Sequence, residues 1–283
     1  MLKRIITALV SLCVFVPVLI FADTPVLSIA IAVCGVLAVY EILACTGLVR
    51  SVAISIPLYL AAATFPFLMR YLPDSETVTW PKIAVASLFF IILYLFGVLI
   101  FSKGKYQLPH IATAFLCFAY SLTGLYAIQY LHDITEGGKY IYLIVFVGAW
   151  ITDIFAYFCG ILFGRKGKHK LIPEVSPKKT IEGSIGGVVF CILAMMLFGF
   201  IVHKIDSSFS PNYLLLALAG LLLSVVAQIG DLALSVVKRH YGIKDYGFIF
   251  PGHGGILDRF DSVIAVAIVL AAFTSFASLF RVI

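Results

Sequence analysis

Four aspartates lie within or beside long apolar segments in the second half of the chain: Asp153, Asp231, Asp258 and Asp261. Ionisable side chains at membrane depth are costly and usually face a bundle interior or a wet cavity, so each is a candidate functional residue. Lysines and arginines crowd the adjoining polar segments. This combination suits Mg²⁺ that is held by one or two aspartates and bridges phosphate oxygens, which the basic groups also neutralise.

A polar stripe follows one of these segments. Gly220, Ser224, Gln228, Asp231 and Ser235 repeat at three- and four-residue spacings, which places them on one face of a helix. A second face combines Asp153 and Tyr157 with Gly160 and Gly164. Helix packing is the alternative explanation for both, since polar seams and G-x-x-x-G pairs hold membrane helices together.

Two polar segments, 164–184 and 238–259, are rich in Gly, Pro and Lys. In the first, Ser176, Lys178, Lys179 and Thr180 precede an apolar segment, where hydroxyl, ammonium and backbone N–H groups converge readily on an anion. A topogenic or lipid-headgroup cluster is the alternative. In the second, glycines beside His253 allow backbone amides to approach a ligand, and a plain connector is the alternative.

The elements that position these residues are membrane helices. Apolar residues make up 62% of the 283-residue chain and charged residues 12%, which excludes an ordinary soluble domain. Nine apolar segments approach the length needed to span a bilayer: 5–21, 26–44, 52–69, 82–101, 110–131, 140–163, 185–203, 212–237 and 260–280. The sequence therefore predicts an all-α polytopic membrane protein of about nine transmembrane helices. The first segment also fits a signal peptide, but 20–22 is a poor cleavage site, so a retained span is favoured.

Charge predicts the orientation. Assigning loops alternately to two sides puts 15 of the 20 basic residues with the N-terminus. The positive-inside rule then predicts a cytoplasmic N-terminus and an outside C-terminus. Basic residues on a cytoplasmic membrane face set the topology and attract anionic lipid. The net charge of +6 therefore does not require binding to nucleic acid. The six cysteines lie in or at the ends of apolar segments without a C-x-x-C pair, so neither a disulfide nor zinc is implied. We expect a scaffold in 1–135 and a catalytic region in 136–283.

One stretch resembles a known signature. It reads Ser235-x-x-Lys238-Arg239-x4-Lys244-Asp245-x-Gly247-x3-Pro251-x-His253-Gly254-Gly255-x-x-Asp258-Arg259-x-Asp261. Position by position, this resembles the phosphatidate cytidylyltransferase family, also called CDP-diacylglycerol synthases. The resemblance extends over roughly 150–262. Two departures concern loop geometry: Ile181 stands where the family often has Trp, and Arg165, Lys166 and Gly167 are extra.

The resemblance implies condensation of CTP with phosphatidic acid to CDP-diacylglycerol and pyrophosphate. It implies Mg²⁺, alone or with a second cation, held by Asp231 and Asp258. The remaining catalytic residues implied are Lys238, Arg239, Lys244, Asp245, Arg259 and Asp261. The substrate-binding residues implied are Asp153, Ser176, Lys178, Lys179, Thr180, Gln228, His253, Gly254 and Gly255. A homodimer in a bacterial inner membrane, with its site facing the cytoplasm, completes the expectation.

Three alternatives stay open. A related cytidylyltransferase or CTP-dependent kinase acting on a polyprenol would differ in the lipid consumed and in releasing pyrophosphate or CDP. An ion-coupled transporter would use the same aspartates, but it would be expected to show broken helices and polar groups at the midplane. A structural scaffold gives no reason for so many charges at one depth.

Overall fold

The computed structural model describes residues 2–72, 79–133, 137–164, 169–250, 252 and 254–282. Nine helices and four short strands occur in these ranges. The helices are α1 (Leu2–Ile20), α2 (Pro25–Cys45), α3 (Val52–Tyr71), α4 (Trp80–Phe101), α5 (Leu108–Asp133), α6 (Gly138–Phe163), α7 (Ile181–Ile205), α8 (Tyr213–His240) and α9 (Leu257–Thr274). The strands are β1 (Lys170–Ile172), β2 (Ser176–Thr180), β3 (Phe209–Pro211) and β4 (Phe280–Val282).

Helices α2 to α8 are each long and apolar enough to cross a membrane, which makes seven candidate spans in the described ranges. The apolar part of α1 is shorter, and α9 carries Asp258, Arg259 and Asp261 in its first turns. The predicted all-α membrane class is confirmed. The count of nine spans and the orientation of the termini stay predictions.

One predicted span was wrong, and the two polar segments contain regular structure. The apolar segment 260–280 is not helical throughout, because α9 ends at Thr274 and β4 pairs antiparallel with β3. In the segment 164–184, β1 and β2 form an antiparallel hairpin and α7 begins at Ile181. The segment 238–259 begins inside α8, which continues to His240 and holds Lys238 and Arg239 in its last turn.

The chain forms two compact units. The N-terminal unit comprises Met1–Gln129 and Tyr241–Arg259, and the C-terminal unit comprises Tyr130–His240 and Phe260–Ile283. Residues 241–259 therefore group with the N-terminal helices. The expected division into scaffold and catalytic region at 135/136 concerns function and stays a prediction.

In the N-terminal unit, α2 and α3 pack together and α5 closes against them. A Cβ at Gly35 would lie 3.2 Å from Leu122 Cδ2 and 3.5 Å from Ala62 Cβ, so the small residue permits this approach. Pro66 lacks the N–H that would bond the Ala62 carbonyl. The hydroxyl of Tyr126 in α5 donates to the Ala61 carbonyl at 3.1 Å and lies 3.4 Å from the Ala62 carbonyl, so this half-buried side chain is shared between the two acceptors.

In the C-terminal unit, α6, α7 and α8 pack against one another. Glycines of α7 bring the backbones close: a Cβ at Gly183 would lie 2.4 Å from the Ala156 carbonyl oxygen, and one at Gly187 3.0 Å from that of Thr152. A Cβ at Gly160, on the predicted glycine face, would lie 3.8 Å from the Gly183 Cα. These contacts fix the relative height of α6 and α7, which carry residues of the candidate site on their ends.

Candidate active site

An ion pair joins β2 to α8 in the C-terminal unit. Lys179 Nζ lies 2.6 Å from Asp231 Oδ2, and both side chains are partly exposed, at 23% and 27%. One turn later, Ser235 donates its hydroxyl to Asp231 Oδ1 at 3.3 Å. The Lys179 nitrogen itself is buried and makes no well-directed hydrogen bond to any residue that the structure describes, so its contact with Asp231 is an ion pair alone. The ammonium retains donors for a further acceptor.

Two more aspartates lie near Asp231. Asp261 is within electrostatic reach of Asp231, Asp153 and Lys238. Ser262 links two of them, because its N–H donates to Asp261 Oδ1 at 2.8 Å and its hydroxyl donates to Asp153 Oδ2 at 2.9 Å. We call Asp153, Asp231 and Asp261 the aspartate cluster. Lys238 is only 7% exposed, so its charge acts on the cluster with little screening by solvent.

The aspartate cluster is not a preformed metal cage. Across the described ranges, no group of three or more His, Cys, Asp or Glu side chains is placed to hold a metal ion. Mg²⁺, however, usually binds proteins through one or two carboxylates and completes its shell with water and substrate phosphates. Asp231 and Asp261 fit that binding mode.

The β1–β2 hairpin places the other residues predicted from the first polar segment. Thr180 is the N-cap of α7: its hydroxyl accepts the Gly183 N–H at 3.1 Å, and the residue is 8% exposed. Lys178 is exposed and Ser176 is half-buried. Arg239 donates to the Val175 carbonyl at 3.4 Å and so connects the hairpin to α8. Thr180 therefore stabilises the start of α7, which directly follows strand β2.

Gln228 takes part in helix packing. Its Nε2 donates to the Ser184 carbonyl at 3.3 Å and to the Ser224 carbonyl at 3.4 Å, and the residue is buried. Gln228, in the first part of the polar stripe, thus joins α8 to α7. Of the stripe residues, Asp231 belongs to the aspartate cluster and Ser235 contacts it.

In the N-terminal unit, Asp258 shapes the segment 241–259. Its Oδ2 accepts the N–H groups of Tyr246 at 2.7 Å and Gly255 at 2.9 Å. Gly254 has φ +84°, which disfavours any residue with a Cβ. Lys244, Asp245 and Arg259 are exposed. The part predicted for Asp258 as a metal ligand stays a prediction, and the structure gives this carboxylate a role in holding the turn.

Glu41 of α2 is the residue that the sequence did not assign to this region. Its carboxylate accepts the N–H groups of Ile256 at 2.8 Å and Leu257 at 2.9 Å, and it is 1% exposed. A Cβ at Gly247 would lie 2.5 Å from Glu41 Oε1, and one at Gly255 would lie 2.0 Å from it. In the sequence Glu41 is a lone carboxylate in an apolar segment, and that pattern does not identify its partners.

The predicted site residues thus fall into two groups, one in each unit. The C-terminal unit brings together Lys179, Asp231, Asp153, Lys238 and Asp261. The N-terminal unit holds Lys244, Asp245, Gly254, Gly255, Asp258 and Arg259. His253 lies outside the described residues, as do Arg165, Lys166 and Gly167.

Chemically, the group in the C-terminal unit combines carboxylates that can hold a divalent cation with an ammonium that can receive a phosphate oxygen. None of its members is a histidine, cysteine or serine poised as a nucleophile beside a base. The arrangement suits the binding and transfer of phosphate groups that carry their own nucleophile.

Comparison with known proteins agrees with this chemistry. The sequence profile of the cytidylyltransferase family matches residues 2–277. Proteins named phosphatidate cytidylyltransferase from Staphylococcus haemolyticus (strain JCSC1435) and Staphylococcus aureus (strain COL) are 35% and 36% identical to the chain over 264 residues. Each alignment covers 93% of this chain and 95% of the relative.

Proposed function

The chain belongs to the cytidylyltransferase family, and we propose that it condenses CTP with phosphatidic acid to give CDP-diacylglycerol and pyrophosphate. The observation that carries this proposal is the similarity to proteins named phosphatidate cytidylyltransferase along 93% of the chain. The chain is accordingly a nucleotidyltransferase enzyme of phospholipid biosynthesis, built on apolar membrane helices.

The reaction is an in-line displacement. A phosphate oxygen of phosphatidic acid attacks the α-phosphorus of CTP, the new P–O–P bond forms, and the bond from the α-phosphorus to the bridging oxygen breaks as pyrophosphate leaves. The attacking phosphate is already anionic near neutral pH, so no side chain has to remove a proton from it. The protein's part is to position two polyanions and neutralise their charge.

Lys179 is the central side chain in this proposal. Its ammonium is buried beside Asp231 and retains hydrogen-bond donors, so it would bind a phosphate oxygen and hold it close to the aspartate cluster. Asp231 orients the ammonium through the 2.6 Å ion pair. Lys238 adds a second, largely buried positive charge near Asp261.

Mg²⁺ belongs to the proposal as the resident cofactor. On the geometry of the C-terminal unit, Asp231 and Asp261 would hold it, with Asp153 fixed beside them through Ser262. Asp258, the second ligand that the resemblance implies, lies in the N-terminal unit and stays a prediction. When bound, the cation would neutralise phosphate oxygens and stabilise charge on the departing pyrophosphate.

The membrane arrangement extends the proposal. We place α1 and α9 in the membrane with the seven candidate spans, the N-terminus in the cytoplasm and the site facing the cytoplasm, in a bacterial inner membrane. The basic segments on one side of the alternating topology support this orientation. A homodimer is also proposed, on the family resemblance alone, and light-scattering mass in detergent tests it.

The deciding experiment measures pyrophosphate release by the detergent-purified protein given CTP, Mg²⁺ and phosphatidic acid. The expected result is release that needs both substrates, with CDP-diacylglycerol as the lipid product. ATP in place of CTP and a polyprenol in place of phosphatidic acid are the controls. Turnover with the polyprenol alone, or folded protein inactive with phosphatidic acid, would contradict the proposal.

A further inference from the structure

A cavity of about 620 Å³ opens in the N-terminal unit, and none of its lining residues is assigned to the reaction. It is formed where α2 ends, where α3 and α5 begin, and by Tyr241 beyond the end of α8. The connection between α4 and α5 supplies a further wall through Lys105, Tyr106 and Gln107. Such a volume is typical of cavities that hold a small molecule or a lipid headgroup.

The lining is cationic. Arg50, Lys105 and His110 contribute basic groups, and none of the eleven described lining residues is acidic. Arg50 and Lys105 are both exposed, so their charges are available to a ligand that enters from solvent or from the headgroup layer. Basic groups gathered in one concavity without carboxylates favour an anion, and arginine favours phosphate through its paired donors.

Hydrogen bonds fix the aromatic residues of this lining. Ser51 donates its hydroxyl to Tyr106 Oη at 2.6 Å, and His110 Nδ1 lies 3.2 Å from Tyr241 Oη. Lys105 Nζ lies 5.3 Å from the centre of the Tyr106 ring, which holds the ammonium near the cavity wall. The hydrogen bond from Ser51, followed by interaction with Lys105, lowers the pKa of Tyr106 below its ordinary value. Ser51 and Lys105 therefore both act on the Tyr106 hydroxyl, and the cation–π contact keeps the Lys105 charge at the cavity wall.

The cavity is lined by connections between candidate spans, where it can meet lipid headgroups. The segments 46–51 and 102–107 connect candidate spans, so both lie beyond the apolar parts of their helices. Connections of this kind lie at the level of the polar headgroups, where basic residues attract anionic lipid.

We propose that this cavity is a binding site for a phosphate ester, with Arg50 and Lys105 as the residues that hold the phosphate. The ester comes either from the headgroup of an anionic membrane lipid or from a soluble phosphate compound. All the lining residues belong to the N-terminal unit, and the site does not depend on the proposed reaction.

The test compares binding by three forms of the full chain in detergent: wild type, the double variant R50Q/K105Q and the control K204Q/R281Q. The control removes one lysine and one arginine at positions that do not line the cavity. In the lipid arm, native mass spectrometry measures binding of phosphatidylglycerol against phosphatidylcholine. In the soluble arm, calorimetry measures binding of glycerol 3-phosphate in EDTA.

We expect R50Q/K105Q to bind on the order of tenfold more weakly than the other two forms in one arm. Weakening in the lipid arm assigns a headgroup, and weakening in the soluble arm alone assigns a soluble ester. Equal binding by all three folded forms in both arms overturns the site. If the double variant does not fold, K105Q alone, at an exposed turn position, should weaken binding roughly fivefold, and unchanged binding overturns the site equally.

Discussion

Glu41 accepts the backbone N–H of Leu257 at 2.9 Å, across 216 positions of sequence. The other carboxylate oxygen accepts the N–H of Ile256 at 2.8 Å. The first turn of a helix leaves N–H groups without intrahelical partners, and a buried start needs an acceptor from elsewhere. Glu41, a side chain of α2, therefore fixes the first turn of α9, and this turn includes Asp258.

Replacing Glu41 by Ala should lower stability markedly. The substitution leaves two buried N–H groups without an acceptor, at about 2 to 5 kcal/mol together. We expect the thermal midpoint in detergent to fall by on the order of 5 °C or more. Glu174→Ala makes the same chemical change at an exposed position and should leave the midpoint nearly unchanged. Equal midpoints for both variants would contradict the role given to Glu41.

Gly255→Ala should be destabilising because of Glu41. The three atoms nearest to a Cβ at Gly255 all belong to the Glu41 carboxylate, the closest at 2.0 Å. The cost should shrink by at least about 1 kcal/mol when Gly255→Ala is made in the Glu41→Ala background, because the clash is then absent. A double-mutant cycle on thermal stability measures this coupling. Gly97→Ala, where a Cβ meets nothing within 4 Å, is the control.

Lys179→Gln and Asp231→Asn should each lower kcat/KM for pyrophosphate release by about 10²-fold. The two side chains form one ion pair, so the double variant should be far less impaired than the product of the single effects. Steady-state assays of the three variants measure this. Lys204→Gln removes a lysine that lies 5.7 Å from the Phe200 ring and should retain normal turnover. If the kcat/KM loss of the double variant equals the product of the two single losses, Lys179 and Asp231 act independently, and the proposal that they act as one pair is wrong.

Asp261→Asn should raise the Mg²⁺ concentration required for half-maximal turnover, on the order of tenfold, because one of the two proposed oxygen ligands loses its charge. The measurement is the rate of pyrophosphate release against Mg²⁺ at saturating CTP and phosphatidic acid. Asp206→Asn removes a carboxylate that pairs with Lys139 at the other ends of α6 and α7 and should leave the Mg²⁺ dependence unchanged. An unchanged Mg²⁺ dependence in Asp261→Asn would remove Asp261 from the metal site.

The pH dependence of stability should contain a contribution from Asp206. Lys139 donates to its carboxylate at 2.9 Å, and this hydrogen bond lowers the pKa of Asp206 below its ordinary value. Because the pKa is lower in the folded protein, the ion pair contributes fully to the free energy of unfolding above the pKa of the unfolded state, about 3.9. This contribution is lost as the pH falls through the pKa of the folded state. The difference in thermal midpoint between wild type and Asp206→Asn should therefore narrow below about pH 4. A constant difference between pH 6 and pH 3 would contradict the ion pair.

Hydropathy predicted helices α2 to α8 closely, because an apolar run of about 20 residues has few alternatives to a membrane helix. The same measure misjudged 260–280, since Phe280 is as apolar as a helix residue although it pairs in a strand. Residue type and spacing made Asp231 and Lys179 candidates for phosphate chemistry, and that role stays a prediction. Their partners were not predictable, because Lys179 reaches Asp231 and Glu41 reaches Leu257 through tertiary contacts that local patterns do not encode.

Two of the predicted substrate-binding residues also make structural contacts. Thr180 caps α7 and Gln228 joins two helices, so both support the site through packing. A hydroxyl or amide side chain can cap a helix, join two helices or bind a ligand. The sequence does not distinguish these roles, and the three-dimensional structure does. The carboxylates stand out more clearly as candidates, because an ionised side chain in hydrocarbon is energetically costly.

The antiparallel pairing of β4 with β3 has a practical consequence for anyone expressing this protein. Leu279 is fully buried and Phe280 is 6% exposed, so the last residues form part of the folded C-terminal unit. Deleting them would leave β3 without its partner strand and would open the junction between α7 and α8. Deletion of Leu279 and Phe280 should therefore reduce the yield of folded protein, and a tag fused directly after β4 needs a spacer.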